Sequence, residues 1–354
     1  IRFGDRLGVA RHLPEPSSPI SWPEQALILL GHLVGDGSYV KRQPLRYTTA
    51  SEENSEAVRY AAESMGSVVT RHEGRGNWHQ LLISGNGNRW HPAGVGKWLK
   101  ELGIFGQRSR EKTLPDEIFQ LRGDQIALFL RHLWATDGSI TAACSGRVRI
   151  YFATASKRLS QDVADLLLRL GISARTRHVR HVDSDGWFTV DVSGTRDQLA
   201  FMERVGKFGE QAKELDEIRS KLELIGTNTN VDTLPQAVFD HIRERMRESG
   251  ITQRRMATLR GTAYGGSSHF SFSPSRKTVK DYAELLDDPL LFGLASDDLF
   301  WDRVVSIEDA GEEAVYDLTV PETECWLADG IVSHNSGAIE QDADVIVFIY
   351  RDEV

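Results

Sequence analysis

Cysteine is scarce: only Cys144 and Cys325 occur among 354 residues. They share no CxxC or Cys/His spacing, which argues against both a disulfide framework and a zinc site. A reducing, cytoplasmic setting is expected. No apolar run approaches the roughly 20 residues of a membrane span. The opening Ile1-Arg2-Phe3-Gly4-Asp5 does not have the composition of a signal peptide. There is no GxxxxGK[ST] phosphate loop, so this stretch is not expected to hydrolyse ATP. At 40% hydrophobic and 26% charged residues the composition is that of a globular chain, long enough for two or three domains.

Excess positive charge is also missing. The formal net charge is -9, whereas affinity for a phosphate backbone comes mainly from Lys and Arg. The distribution answers this objection. Asp281 to Glu313 holds eleven acids and one base, while Gln236 to Lys280 holds nine bases against three acids. The remainder can therefore carry basic faces.

What is present is a duplication. LLGHLVGDGS (Leu29 to Ser38) leads to YTTAS (Tyr47 to Ser51), a helical pattern, NWHQLLISG (Asn77 to Gly85) and GIFG (Gly103 to Gly106). LRHLWATDGS (Leu130 to Ser139) leads in the same order to FATAS, SQDVADLLLRLG, GWFTVDVSG and GKFG. Apolar periodicity assigns each half as helix, two strands, helix, two strands, helix. Beyond the repeat, HIRERMRESGITQRRMATLRG predicts a helix, a short turn and a second basic helix. That order suits a helix-turn-helix, or else a plain helical linker domain. AVYDLTV and CWLADGIVS read as strands.

Two Asp-Gly pairs end two apolar helices at matched places in the repeat. A single such pair is an ordinary turn, with the glycine suited to a helix C-terminus. If the helices pack about a pseudo-twofold axis, with Gly31 and Gly35 permitting close approach, Asp36 and Asp137 meet. Adjacent carboxylates repel unless a hard divalent ion neutralises them, which points to Mg²⁺ and phosphodiester hydrolysis.

LLGHLVGDG and LRHLWATDG resemble the two LAGLIDADG motifs of homing endonucleases. The resemblance covers Ile20 to about Leu224 and implies catalytic, metal-binding acids at Asp36 and Asp137. It also implies αββαββα halves whose sheets lie on double-stranded DNA. Lys112, in REKTLP, matches a catalytic lysine of the intein members, though a phosphate anchor or a solvated side chain is an equal reading. The second half offers Lys207 or Lys213 without the following proline. His132 and Thr136 depart from the pattern, replacing the two small residues expected in the second motif. The basic strands KRQPLRY, RVRIYF and ARTRHVRH would then face the groove. They place Arg42, Arg46, Arg147, Arg149, Arg175, Arg177 and Arg180 on DNA, with Arg254, Arg255 and Arg260 from the helix-turn-helix.

VYDLTVPETECWLADGIVSHN resembles the C-terminal splicing segment of inteins. Asn335 would cyclise and cut after itself, His334 would donate a proton to that bond, Ser336 would receive the upstream flank, and Asp317 would coordinate the steps. Taken as a bare tripeptide, His-Asn-Ser suits a loop or cap. Glu324 stands where many inteins have a histidine. SGAIEQDADVIVFIYRDEV resembles DnaB-family replicative helicases, which makes Ser336 onward the C-extein. The family's N-terminal nucleophile and Thr-x-x-His motif are not in this sequence, so it reads as N-terminally truncated and unable to splice without the missing segment and N-extein.

The expected architecture is α+β: a duplicated LAGLIDADG endonuclease, a helical helix-turn-helix-like domain and part of an all-β Hint splicing domain. Residues 1–19 are assigned to a splicing remnant, 20–230 to the endonuclease (halves 20–112 and 113–230), 231–300 to the helix-turn-helix, 301–335 to the splicing segment and 336–354 to helicase. The endonuclease is expected to act as a monomer on the empty insertion site of a helicase gene. The alternative is a LAGLIDADG-fold DNA-binding protein that does not cut.

Overall fold

YTTAS and FATAS fold alike. The Thr49 hydroxyl accepts the Ser51 N–H at 3.1 Å, and the Ser51 hydroxyl accepts the Asn54 N–H at 3.2 Å. Thr154, Ser156 and Leu159 repeat both bonds at 3.2 and 3.1 Å. Each serine caps a helix, a contact worth about 1 kcal/mol.

The computed structural model describes residues 1–88, 90–142, 148–181, 184–209, 215–224, 232–309, 311–312, 320, 324–328 and 330–334. In chain order, β1 (Arg6–Ala10) is followed by α1 (Glu24–Asp36), β2 (Gly37–Ser38), β3 (Leu45–Thr49), α2 (Glu52–Ser64), β4 (Val68–Glu73), β5 (His79–Ser84) and α3 (Gly94–Glu101). The pattern recurs as α4 (Gly123–Asp137), β6 (Gly138–Ala142), β7 (Val148–Thr154), α5 (Lys157–Arg169), β8 (Ala174–His181), β9 (Ser184–Val192) and α6 (Thr195–Arg204). Then come α7 (Leu215–Leu224), α8 (Val238–Glu248), α9 (Gln253–Leu259), α10 (Arg276–Leu286), α11 (Pro289–Ser296), β10 (Leu299–Arg303), β11 (Cys325–Ala328) and β12 (Ile331–His334). Among the described residues no helix is long and apolar enough to cross a membrane.

Two units are present, His12–Gly226 and Ile1–Arg11 with Thr227–Asp352, each over its described residues. The first is mixed α/β. It holds two antiparallel four-stranded sheets of matched order, β2-β3-β5-β4 and β6-β7-β9-β8. Alternation decides which face is covered: Leu45, Tyr47, Leu81 and Ile83 in one sheet, and Val148, Ile150, Phe152, Val190 and Val192 in the other, are buried with the helices in one core. Each fully buried leucine of α1 (Leu27, Leu29, Leu30, Leu33) contributes about 2 kcal/mol.

In the second unit β1 lies between β10 and β12, giving the order β10-β1-β12-β11. Arg276 is the tie, pairing with Asp232 at 3.0 Å and Asp297 at 2.7 Å. Three expectations change here. CWLADGIVS is a hairpin rather than one strand, turning at Gly330, whose φ is 76°. The terminal sheet begins at Leu299, before the expected boundary at 301, because β1 pairs with Leu299–Arg303. Only residues 1–11 of the expected 1–19 segment join this unit. AVYDLTV, apart from Val320, lies outside the described residues, as does the helicase-like stretch from Ser336.

Candidate active site

α1 and α4 pack side by side and end in Asp36 and Asp137. Close approach depends on α1 glycines. A Cβ on Gly31 would lie 2.9 Å from His132 Cβ, the Leu133 nitrogen and the Phe129 oxygen, and one on Gly35 would lie 1.9 Å from Thr136 Oγ1. With the two Asp-Gly pairs aligned, Gly31 corresponds to His132 and Gly35 to Thr136. Each glycine therefore faces its own counterpart, as positions on a twofold axis must. One small partner per pair is enough, which accounts for the departure at His132 and Thr136.

Gly37 and Gly138 differ from expectation. Neither is left-handed: their φ values are -77° and -87°, both extended. Their lack of a side chain is what matters, because a Cβ would meet the Leu33 oxygen at 2.4 Å or Trp134 Cδ1 at 2.3 Å. The chain thus passes from helix straight into strand, leaving each aspartate at the junction.

Both carboxylates keep an exposed outer side, while the protein packed beneath them withdraws enough solvent to disfavour their charge. Asp36 is pushed up to about 6, first by this burial and then by Asp137, against the pull of Lys112. Asp137 is also raised by burial and opposed by Lys112. Lys112 is buried, which excludes the solvated reading. Its ammonium donates to the carbonyls of Val34 (2.7 Å), Gly35 (2.6 Å) and Gly37 (3.1 Å) and lies 5.6 Å from the centre of the Tyr39 ring. It neutralises the negative end of α1 directly beneath Asp36. Burial lowers it to about 8, although Asp137 and Asp36 favour its charge. The Ser156 hydroxyl holds the Lys112 carbonyl at 2.7 Å, and Asp162 accepts the Leu114 N–H at 3.0 Å. These two positioning residues were not anticipated, though Ser156 ends FATAS, one of the recurring segments of the repeat.

The bridge formed by His32, His132 and Tyr47 also escaped sequence reading, in which His132 figured only as a departure in the second motif. His32 Nδ1 lies 3.0 Å from the Tyr47 hydroxyl, and its Nε2 lies 3.0 Å from His132 Nδ1. All three are buried. Burial lowers His32 to about 3, helped by His132, and lowers His132 to about 4, helped by Arg131. The rings are therefore neutral, and donors run one way along the chain, from Tyr47 through His32 to His132 or the reverse. The unfolded chain binds more protons at these positions between about pH 6.5 and pH 4, so they withdraw stability as pH falls through that window. Asp36 acts oppositely between its ordinary value and about 6, with a smaller shift. Tm is expected to fall as pH drops from 6.5 to 5 while both ring nitrogen signatures stay neutral. A charged His32 ring at pH 5 would contradict this arrangement.

The basic residues separate by environment. Arg149, Arg175, Arg177 and Arg180 are exposed on β7 and β8, and Arg46 is half-buried on β3. Arg149, Arg175 and Arg177 alternate with the buried positions of their sheet and so occupy its uncovered face, with Arg149 5.1 Å from the Tyr151 ring centre. Arg42 is at a loop tip with φ 65°. Arg254 and Arg255 are exposed on α9. Arg260 is a correction: it pairs with Asp281 at 3.2 Å and lies 4.4 Å from the Tyr282 ring centre, its side chain only 5% exposed. It holds α9 to α10 and is unavailable to phosphate. Arg147, Lys213, Asp317, Asn335 and Ser336 lie outside the described residues. The His334 backbone pairs with Cys325 at the end of β12. Glu324, just before β11, has φ 52°. No group of three or more His, Cys, Asp or Glu residues suited to a metal occurs among the described residues.

Residues 23–91 and 124–206 match the family model of a LAGLIDADG-like domain. The chain is 40% identical over 368 residues to Replicative DNA helicase DnaB of Rhodothermus marinus, covering 100% of this chain and 38% of that protein. It is 25% identical over 360 residues to Protein RecA of Mycobacterium tuberculosis (95% and 45% covered). It is 24% identical over 353 residues to a DNA gyrase polypeptide of Mycolicibacterium flavescens (96% and 59% covered). The chain thus spans about two fifths of the helicase relative's length and about three fifths or less of the others. Among solved structures, I-DmoI in complex with DNA and Mn matches with a TM-score of 0.38 at 16% identity, covering 52% of this chain and 98% of that one. The two matched stretches of the family model fall on the two copies of the repeat.

Proposed function

We propose that the duplicated unit is a divalent-metal-dependent DNA endonuclease that cuts both strands of a specific site, carried by an intein within a helicase precursor. The observation that carries the first part is the pairing of Asp36 and Asp137 at the ends of two helices in glycine-mediated contact. Oxygen donors whose ionisation is suppressed by burial, and at Asp36 by the neighbouring Asp137 as well, suit a hard cation such as Mg²⁺. With two carboxylates from the protein, further oxygens would come from backbone, water or DNA phosphate. A cation held there would supply Lewis acidity to the scissile phosphate and activate water.

The chain's own residues do the rest. Lys112, fixed by three carbonyls that take its three donors, acts as a fixed positive charge beneath the acids, which it stabilises in their ionised form, and has no donor left for a phosphate. The uncovered sheet faces bind duplex DNA, with Arg149, Arg175 and Arg177 on one and Arg46, Gln80 and Leu82 on the other. Because the two faces differ in charge, the target is asymmetric.

The intein reading is supported by the matches to three differently named proteins, each sharing nearly the whole of this chain but only part of itself. A segment common to a helicase, RecA and a gyrase suits an element inserted into different hosts. His334, Asn335 and Ser336 then form the downstream junction, with His334 and Asn335 performing the cleavage chemistry described above.

The endonuclease reading predicts that the purified chain with Mg²⁺ linearises a plasmid bearing an uninterrupted helicase gene and leaves a plasmid without that gene closed. Specific binding with no nick after prolonged incubation would leave the non-cleaving DNA-binding alternative in its place.

A further inference from the structure

α9 is an odd helix: of its seven residues only Met256 is buried, while Gln253, Arg254, Arg255, Thr258 and Leu259 are exposed. A helix so poorly covered gains little from its own hydrogen bonds, since short helices are marginal without packing. It is held from its two ends instead. At its start, Gly250 (φ 64°) closes α8 with the Ile251 N–H bonded to the Met246 carbonyl at 2.8 Å, and the Thr252 hydroxyl caps α9 at 3.3 Å. At its end, Arg260 is clamped by Asp281 and Tyr282. The result is two helices joined by a short, stiff turn, with the second presented to solvent.

Charge selects what meets it. Ser249 to Lys280 contains no acidic residue and six basic ones. Arg260 and Arg276 are spent on internal ion pairs. Arg243 and Arg245 on α8 are paired with Asp240 and Glu248. Arg247, Arg254 and Arg255, all exposed, have no carboxylate partner among the described residues, and they cluster about the α8–α9 turn. The Arg254 guanidinium lies 5.3 Å from the centre of the half-exposed Tyr264 ring, which orders it without neutralising it.

We infer that α9 is a DNA-reading helix entering the major groove of a duplex, with Gln253 and Arg254 on base edges and Arg247 and Arg255 on phosphates. A helix about 10–12 Å across matches the roughly 12 Å major groove of B-DNA, whereas the deep, narrow groove of duplex RNA does not admit one. Glutamine and arginine are the side chains that pair with adenine and guanine there. This surface is independent of Asp36 and Asp137, so it stands or falls apart from the nuclease chemistry; only the choice of the helicase site as probe rests on the intein reading.

The test measures full-chain affinity by fluorescence anisotropy over a series of salt concentrations. The probes are a long duplex carrying the uninterrupted helicase site with its natural flanks and an unrelated duplex of equal length. Arg254→Ala/Arg255→Ala, which leaves Met256 and Arg260 in place, should weaken binding to the helicase duplex at least tenfold. It should also lower the slope of log affinity against log salt by about 1, the loss of the Arg255 phosphate contact. Gln253→Ala should weaken binding to the helicase duplex while sparing the unrelated one. Unchanged affinity and slope in the double variant, with Tm at the parental value, would overturn the inference. Arg175→Ala/Arg177→Ala separates the two surfaces: a loss there with none at Arg254 and Arg255 keeps the sheet faces and removes α9.

Discussion

Replacing either Asp36 or Asp137 by asparagine is expected to lower cleavage of both strands about a thousandfold or more, while duplex affinity stays within about threefold and Tm in chelator rises. The rate effect is the loss of several kcal/mol of metal-derived stabilisation of the transition state, at 1.36 kcal/mol per tenfold. The rise in Tm follows from the sign of the shifts. An acid raised in the folded state binds its proton more readily there than when unfolded, so folding loses stability as pH climbs from the ordinary carboxylate value to about 6, and the deficit persists above it. Asparagine removes the charge and with it the deficit. A divalent cation offsets the same deficit by binding only the folded form, so Mg²⁺ should raise the Tm of the parent more than that of either variant. Nuclease assays, binding in Ca²⁺ and calorimetry with and without metal supply the three readouts. Parental cleavage by Asp36→Asn would end the two-carboxylate mechanism, and a fall in Tm would show that the acids are structural.

The acids were legible because they recur: a single Asp-Gly is a turn, whereas two at matched places in a duplication define an axis. The recurring YTTAS and FATAS segments and the alternating strands were legible for the same reason, since local chemistry repeated within each copy; that their serines cap helices came only with the structure. Lys112 was visible as a residue but not as a role. REKTLP reads as a polar loop, and only the tertiary fold brings its ammonium to the α1 carbonyls. Arg260 misled because its partners, Asp281 and Tyr282, lie about twenty residues on, beyond any local pattern. The hairpin in CWLADGIVS was missed despite Asp329-Gly330, a strong short-range turn signal. The histidine bridge was hidden because His32 and His132 are not equivalent in the repeat: His132 aligns with Gly31, and the bond exists only once the helices cross.

Gly35→Ala is expected to lower Tm by about 3–10 °C and to reduce cleavage further than that loss of stability explains. The new Cβ would lie 1.9 Å from Thr136 Oγ1, 2.5 Å from Thr136 Cβ and 2.9 Å from Thr136 Cγ2. Thr136 cannot easily turn aside, since it is β-branched and its hydroxyl is bonded to the Leu133 carbonyl at 2.6 Å. The helices must separate, which costs about 1–3 kcal/mol in a packed core, with about 2–4 °C of Tm per kcal/mol in a unit of this size. Asp36 is the next residue along, so the same separation widens the acid pair and lowers its capacity for a cation. Thr136→Gly in the Gly35→Ala background exchanges the small and large partners across the axis. It should restore most of the cleavage, while Tm recovers only in part because a glycine within a helix costs about 1 kcal/mol. Gly31→Ala offers the contrast: it meets the backbone of Leu133 and Phe129 at 2.9 Å, so no side-chain deletion opposite relieves it. Cleavage rates and calorimetry on the three variants and the parent decide the matter. Parental Tm and cleavage in Gly35→Ala would refute the axial contact, and failure of Thr136→Gly to recover cleavage would show that the separation of the acids has another cause.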